Sequence, residues 1–121
     1  MHNLGVDIIE ISRIEKTIER FGKRFLRRVY TEYELQVCRD KPSRLASRFA
    51  AKEAVMKSLG TGTKGVGWRE IEITHDAKGK PLVQLSGRAK TRAEALGLGE
   101  LAISLSDSRE YAVAFVIGEA R

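Results

Sequence analysis

A chain of 121 residues, 42% hydrophobic and 31% charged, has the size and balance of one soluble domain spanning 1–121. It holds no apolar run near the roughly 20 residues that cross a bilayer, and its single cysteine, Cys38, excludes an internal disulfide and fits a reducing, cytoplasmic setting. The net charge of +6 points to an anionic partner, whether nucleic acid, a nucleotide-like cofactor or an acidic protein.

In chain order, Leu4, Val6 and Ile8 alternate with Gly5, Asp7 and Ile9, which predicts a strand whose strongly apolar face carries the first three. The period changes near Glu10. Ile11, Ile14, Ile18 and Phe21 then form a helical stripe that Gly22 closes, followed by a short basic segment from Lys23 to Val29. Thr31-Glu32-Tyr33-Glu34 has the form of a capping box and opens a short helix ending before Pro42, with Cys38 as a half-buried helix residue. Ser43 is the expected cap of the next helix, whose wide apolar face runs from Leu45 and Ala46 to Leu59 and stops at Gly60. A glycine-rich loop, 60–67, leads to a hairpin with strands at 70–74 and 82–86. A helix over 89–96 and two further strands, 101–106 and 111–117, complete the chain. Short strands joined largely by hairpins predict an α+β domain, an antiparallel sheet with one long helix packed against it.

Two histidines far apart and one cysteine make a zinc site improbable, so a bound metal would need carboxylates and would be a hard cation such as Mg²⁺. Asp7 stands out because it lies within an apolar strand, where an unpartnered charge is expensive. Glu53 stands out through its neighbours: Lys52 and Lys57 flank it, Arg48 lies earlier on the helix, and small alanines would let the helix approach other backbone closely. Each acid also has an ordinary explanation, Asp7 as the cap of the next helix and Glu53 as an exposed i, i+4 pair with Lys57. The lysines shift the balance toward a metal ligand and cations presented to one diphosphate. The 60–67 loop is not a P-loop, because no Gly-Lys-Ser/Thr opens a helix there.

Gly5-Val6-Asp7, Arg48-Phe49-Ala50-Ala51-Lys52-Glu53-Ala54, Gly60-Thr61-Gly62, Gly79-Lys80-Pro81 and the segment Ser104 to Ala112 occur in that order. Together they resemble the holo-[acyl-carrier-protein] synthases, the small single-module class of 4′-phosphopantetheinyl transferases, over essentially the whole chain. The resemblance implies transfer of phosphopantetheine from coenzyme A to a serine of apo acyl carrier protein, releasing adenosine 3′,5′-bisphosphate in the service of fatty acid biosynthesis. It implies that Asp7 and Glu53 ligate Mg²⁺, and that Lys57 neutralises or protonates the departing phosphate. By the same resemblance Lys52 binds phosphate or positions Glu53, and Arg48, Gly60, Thr61, Gly62, Lys80 and Pro81 join it and Lys57 around coenzyme A. Water on the metal, oriented by Glu53, is the first choice of base. Arg13, Arg20, Arg24 and Arg28 would meet the acidic carrier, and a homotrimer with active sites between subunits is expected. Asp107 stands where some relatives have His, so it is placed near the site or, equally, as a turn residue.

Two other readings compete. A small basic RNA-binding module would explain the charge, but no basic-aromatic strand motif accompanies it. A non-enzymatic adaptor for acidic helices would use the same arginines and leaves Asp7 and Glu53 unexplained. Neither nucleic acid nor a membrane is therefore the expected partner.

Overall fold

The computed structural model describes residues 2–120. The first strand, β1 (His2–Glu10), leads directly into helix α1 (Ile11–Phe21). Gly22, at φ 57° and ψ −134°, breaks the chain before α2 (Lys23–Val29), so the basic segment is a helix of its own, set at a new angle. In α3 (Glu32–Cys38) the predicted capping box is formed: Glu34 N donates to Thr31 Oγ1, and Thr31 N donates to Glu34 Oε1. Arg39 and Asp40, both at positive φ, end that helix. The long helix α4 (Pro42–Leu59) begins two residues earlier than expected, with Lys41 rather than Ser43 at its cap, because Pro42 has no N–H to satisfy in the first turn. Gly60, in the left-handed conformation, closes it.

After the 3₁₀ turn Trp68–Glu70 come β2 (Ile71–His75), β3 (Pro81–Leu85), α5 (Gly87–Ala95), β4 (Leu98–Asp107) and β5 (Tyr111–Ala120). The antiparallel sheet expected from the sequence is two antiparallel sheets: β1-β5-β4, and the hairpin β2-β3. Helix α4 packs on the inner face of the larger sheet. Its buried Leu45, Ala50, Ala54, Val55 and Leu59 meet Ile9, Ala112, Ala114 and Val116 in one core.

The orientation of β1 is the reverse of the expected one. Gly5 and Ile9 are buried against α4, whereas Leu4, Val6 and Ile8 are 56%, 53% and 61% exposed. In the paired register Val6 faces Phe115, itself 44% exposed, so the outer face of the sheet carries an apolar surface. The inner position opposite Ala54 tolerates no side chain at residue 5, and a period of two then sends the large residues outward. Phe21 likewise leaves the core: it is exposed, with the Arg20 guanidinium 5.1 Å from its ring centre. Cys38 is fully buried rather than half-buried, and burial pushes its thiol up, consistent with a packing residue.

Candidate active site

Close approach of β1 to α4 creates the site. A Cβ on Gly5 would overlap the Ala54 carbonyl oxygen and come within 3.0 Å of Ser58 N, so glycine here lets strand backbone lie on helix backbone. Fully buried Ala50, Ala51 and Ala54 supply the flat helical surface. Two residues beyond Gly5, Asp7 therefore points inward at α4.

There it meets Lys57, whose Nζ donates to Val6 O at 2.9 Å and Asp7 Oδ1 at 3.1 Å. Glu53, one helical turn before Lys57, faces the same place. Its carboxyl is held above the usual carboxylate range, first by burial and then by the negative charge of Asp7, against the opposing cations Lys57 and Arg13. A hollow of about 250 Å³ opens there, lined by Asp7, Arg13, Thr17, Phe25, Phe49 and Glu53 among others. Both ordinary explanations fail on this geometry. Glu10, not Asp7, stands at the cap of α1, and Lys57 pairs with Asp7 instead of lying along the helix against Glu53.

Two carboxylates converging on one hollow, one of them pushed toward its neutral form by burial and then by the other, form a hard oxygen donor set suited to a divalent cation. Among the described residues no group of three or more His, Cys, Asp or Glu side chains forms, so water and substrate oxygens would supply the rest of a metal's shell.

The other predicted residues divide. Lys52 does not face this hollow: it is fully buried, its ammonium bonded to Glu34 Oε1 at 2.7 Å, Trp68 O at 3.1 Å and Ile71 O. Burial pulls the Lys52 ammonium below the ordinary lysine range and Glu34 opposes it. A phosphate contact at Lys52 does not fit this placement, because all three of its protons are already donated inside the protein. Arg48 is also nearly buried, with Nη2 2.9 Å from His75 Nε2. Burial and the Arg48 charge hold the His75 imidazole below the usual histidine range, so its Nε2 accepts from Arg48.

Lys80 and Pro81 line a separate hollow with His75, Ser104 and Leu105, which shares no lining residue with the one around Asp7 and Glu53. Gly60, Thr61 and Gly62 follow Lys57 at the end of α4, in an exposed turn anchored by Thr61 N donating to Met56 O. Asp107 lies at the exposed end of β4, two strands from Asp7, beside the turn closed by Ser108 N donating to Tyr111 O.

Arg13, Arg20, Arg24 and Arg28 are all exposed. Arg24 and Arg28 border a cleft of about 440 Å³ whose wall is aromatic: Phe21, Phe25, Phe49 and Trp68. Phe49 stacks on Trp68 at 4.8 Å, and Phe25 and Phe49 line both this cleft and the carboxylate hollow. Reading the sequence missed Glu34, His75 and this aromatic wall. Spacing along the chain gives no sign that residues 25, 49 and 68 converge, and Glu34 showed itself only as a capping residue.

An α+β fold in which a glycine strand lies on an alanine-rich helix, with an acid from each at the junction, defines a class. The chain belongs to the 4′-phosphopantetheinyl transferase superfamily, whose model matches residues 3–116. It is 51% identical to the holo-[acyl-carrier-protein] synthase of Herpetosiphon aurantiacus, with 94% of this chain and 95% of that one covered. Among solved structures, the Helicobacter pylori holo-[acyl-carrier-protein] synthase in complex with coenzyme A superposes with a TM-score of 0.88 at 36% identity, covering 96% of this chain and 99% of that one. The Bacillus anthracis enzyme in complex with CoA (3′,5′-ADP) gives 0.80 at 36% identity, covering 98% and 96%.

Proposed function

We propose that this protein transfers the 4′-phosphopantetheine group of coenzyme A to a serine hydroxyl of apo acyl carrier protein. The convergence of Asp7, Glu53 and Lys57 carries the reading. A serine oxygen forms a bond to the β-phosphorus of coenzyme A, and the bond to the departing adenosine 3′,5′-bisphosphate breaks. Glu53 faces the hollow, where it orients a water that takes the serine proton. Lys57 needs only to turn from Asp7 to neutralise the departing phosphate. Asp7 and Glu53 would hold Mg²⁺, which when bound offsets charge on the diphosphate and makes its phosphorus easier to attack.

The exposed arginines of α1 and α2, beside an aromatic cleft continuous with the hollow, suit an acidic carrier helix. The separation of the Lys80–Pro81 hollow from the Asp7–Glu53 hollow, together with the exposed apolar sheet face, favours a homotrimer in which one copy completes its neighbour's coenzyme A site. Arg48, through its contact with His75, belongs to the Lys80–Pro81 side of such a site. No helix among the described residues is long and apolar enough to cross a membrane. Transfer from coenzyme A to an acyl carrier suits a cytoplasmic enzyme serving fatty acid biosynthesis.

The test is to mix the protein with a bacterial apo acyl carrier protein, coenzyme A and Mg²⁺ and weigh the carrier by mass spectrometry. A gain of one phosphopantetheine is expected. No gain, with folded enzyme and a competent carrier, would refute the reading, and equal transfer after chelation would refute the metal.

A further inference from the structure

Lys52 sits beside Glu53 in sequence and points away from it. Its ammonium and the Glu34 carboxylate are both wholly buried, 2.7 Å apart. Glu34 also accepts from Thr31 N and Ile73 N, each at 2.9 Å. Lys52 donates in addition to Trp68 O and Ile71 O. The pair thus joins α3, α4, the 3₁₀ turn and β2 at one point. Glu70 anchors the far end of the turn, its carboxylate accepting from Gly67 N and Arg88 N and its carbonyl from Ser86 N at 2.9 Å. Residues 62–65 before the turn are exposed, and the Trp68 carbonyl is the one that Lys52 reaches. An ammonium with three divergent donors can hold a carbonyl of the 3₁₀ turn and one at the start of β2 together, which a hydrophobic side chain cannot. A buried ion pair is weak evidence for stability as such, because well-packed apolar residues of similar volume often serve as well.

What the pair holds is Trp68, whose ring stacks on Phe49 and closes the cleft bordered by Arg24 and Arg28. We propose that Glu34 and Lys52 are positioning residues that set the Phe49–Trp68 wall against which the acidic carrier docks. The proposal rests on the transfer reaction proposed above for the carrier, but its first measurement does not. Trp68 is the only tryptophan in the chain, so its fluorescence reports the wall directly.

Glu34→Gln, Lys52→Arg and Lys52→Met are compared with wild type at a temperature where each is folded by circular dichroism; if Lys52→Met does not fold, the two conservative variants carry the test. Acrylamide quenching of Trp68 should rise about twofold in Glu34→Gln and more in Lys52→Met, with Lys52→Arg restoring much of the difference. The KM for a bacterial apo acyl carrier protein should rise about fivefold or more, while the Kd for adenosine 3′,5′-bisphosphate stays within about twofold. A nucleotide Kd weakened about tenfold with Trp68 unchanged would make Lys52 a phosphate ligand and overturn the proposal. Folded variants with wild-type quenching and wild-type carrier KM would overturn it too, leaving a pair that only stabilises. If wild type transfers nothing to the carrier, the transfer reading fails, whereas quenching still decides whether the pair sets Trp68.

Discussion

Glu53 is a residue whose ionisation the fold opposes. Burial and the facing Asp7 raise its carboxyl, so the neutral form favours folding: that contribution is present below the unfolded value and lost as pH rises through the folded one. Glu53→Gln should therefore melt at a higher temperature than wild type at pH 7 without added metal, and the two should converge at pH values below the ordinary carboxylate range. A lower melting point at pH 7 would contradict this. The same variant and Asp7→Asn should each lose roughly 100-fold in kcat while remaining folded. An isolated acid in an apolar strand is anomalous wherever the strand packs, so Asp7 was legible in the sequence. Lys52 was not, because the carboxylate and carbonyls that occupy it come from residues 34, 68 and 71.

The contact between β1 and α4 depends on two small surfaces meeting. Gly5→Ala forces a methyl group into the Ala54 carbonyl and should cost about 1–3 kcal/mol in denaturant unfolding, with activity falling as Asp7 is displaced from Glu53. Lys57→Met separates stability from catalysis at the same junction. Its ion pair with Asp7 joins a half-exposed ammonium to a largely buried carboxylate, so unfolding should change by only about 1–2 kcal/mol. The rate should nevertheless fall at least about tenfold through loss of charge on the departing phosphate. Most elements were legible from their periods and punctuation: the Thr31 box, the Gly60 stop and the hairpin all stand where their local chemistry puts them. The α4 start was missed because Pro42 at the first turn outweighs a side-chain cap from Ser43.

For the molecule as a whole, the outer sheet face is the feature with the widest consequences. Val6 and Phe115 lie opposite each other in register and both are about half exposed. Val6→Glu with Phe115→Glu should leave the fold intact, shift the protein to monomer by light scattering and abolish transfer. A monomeric wild type of full activity would exclude shared sites. If the exposed Arg13, Arg20, Arg24 and Arg28 dock the carrier as proposed, carrier KM should also climb with salt, because such charges are screened. The sequence by itself determined the α+β class, the two acids and Lys57 beside them, because local periodicity and an out-of-place charge are properties of short segments. Only the tertiary structure decided which face of β1 is buried, that Lys52 serves an internal carboxylate, and that the Lys80–Pro81 and Asp7–Glu53 hollows are apart. Those outcomes depend on which distant backbone comes within contact distance, and no spacing along the chain encodes that distance.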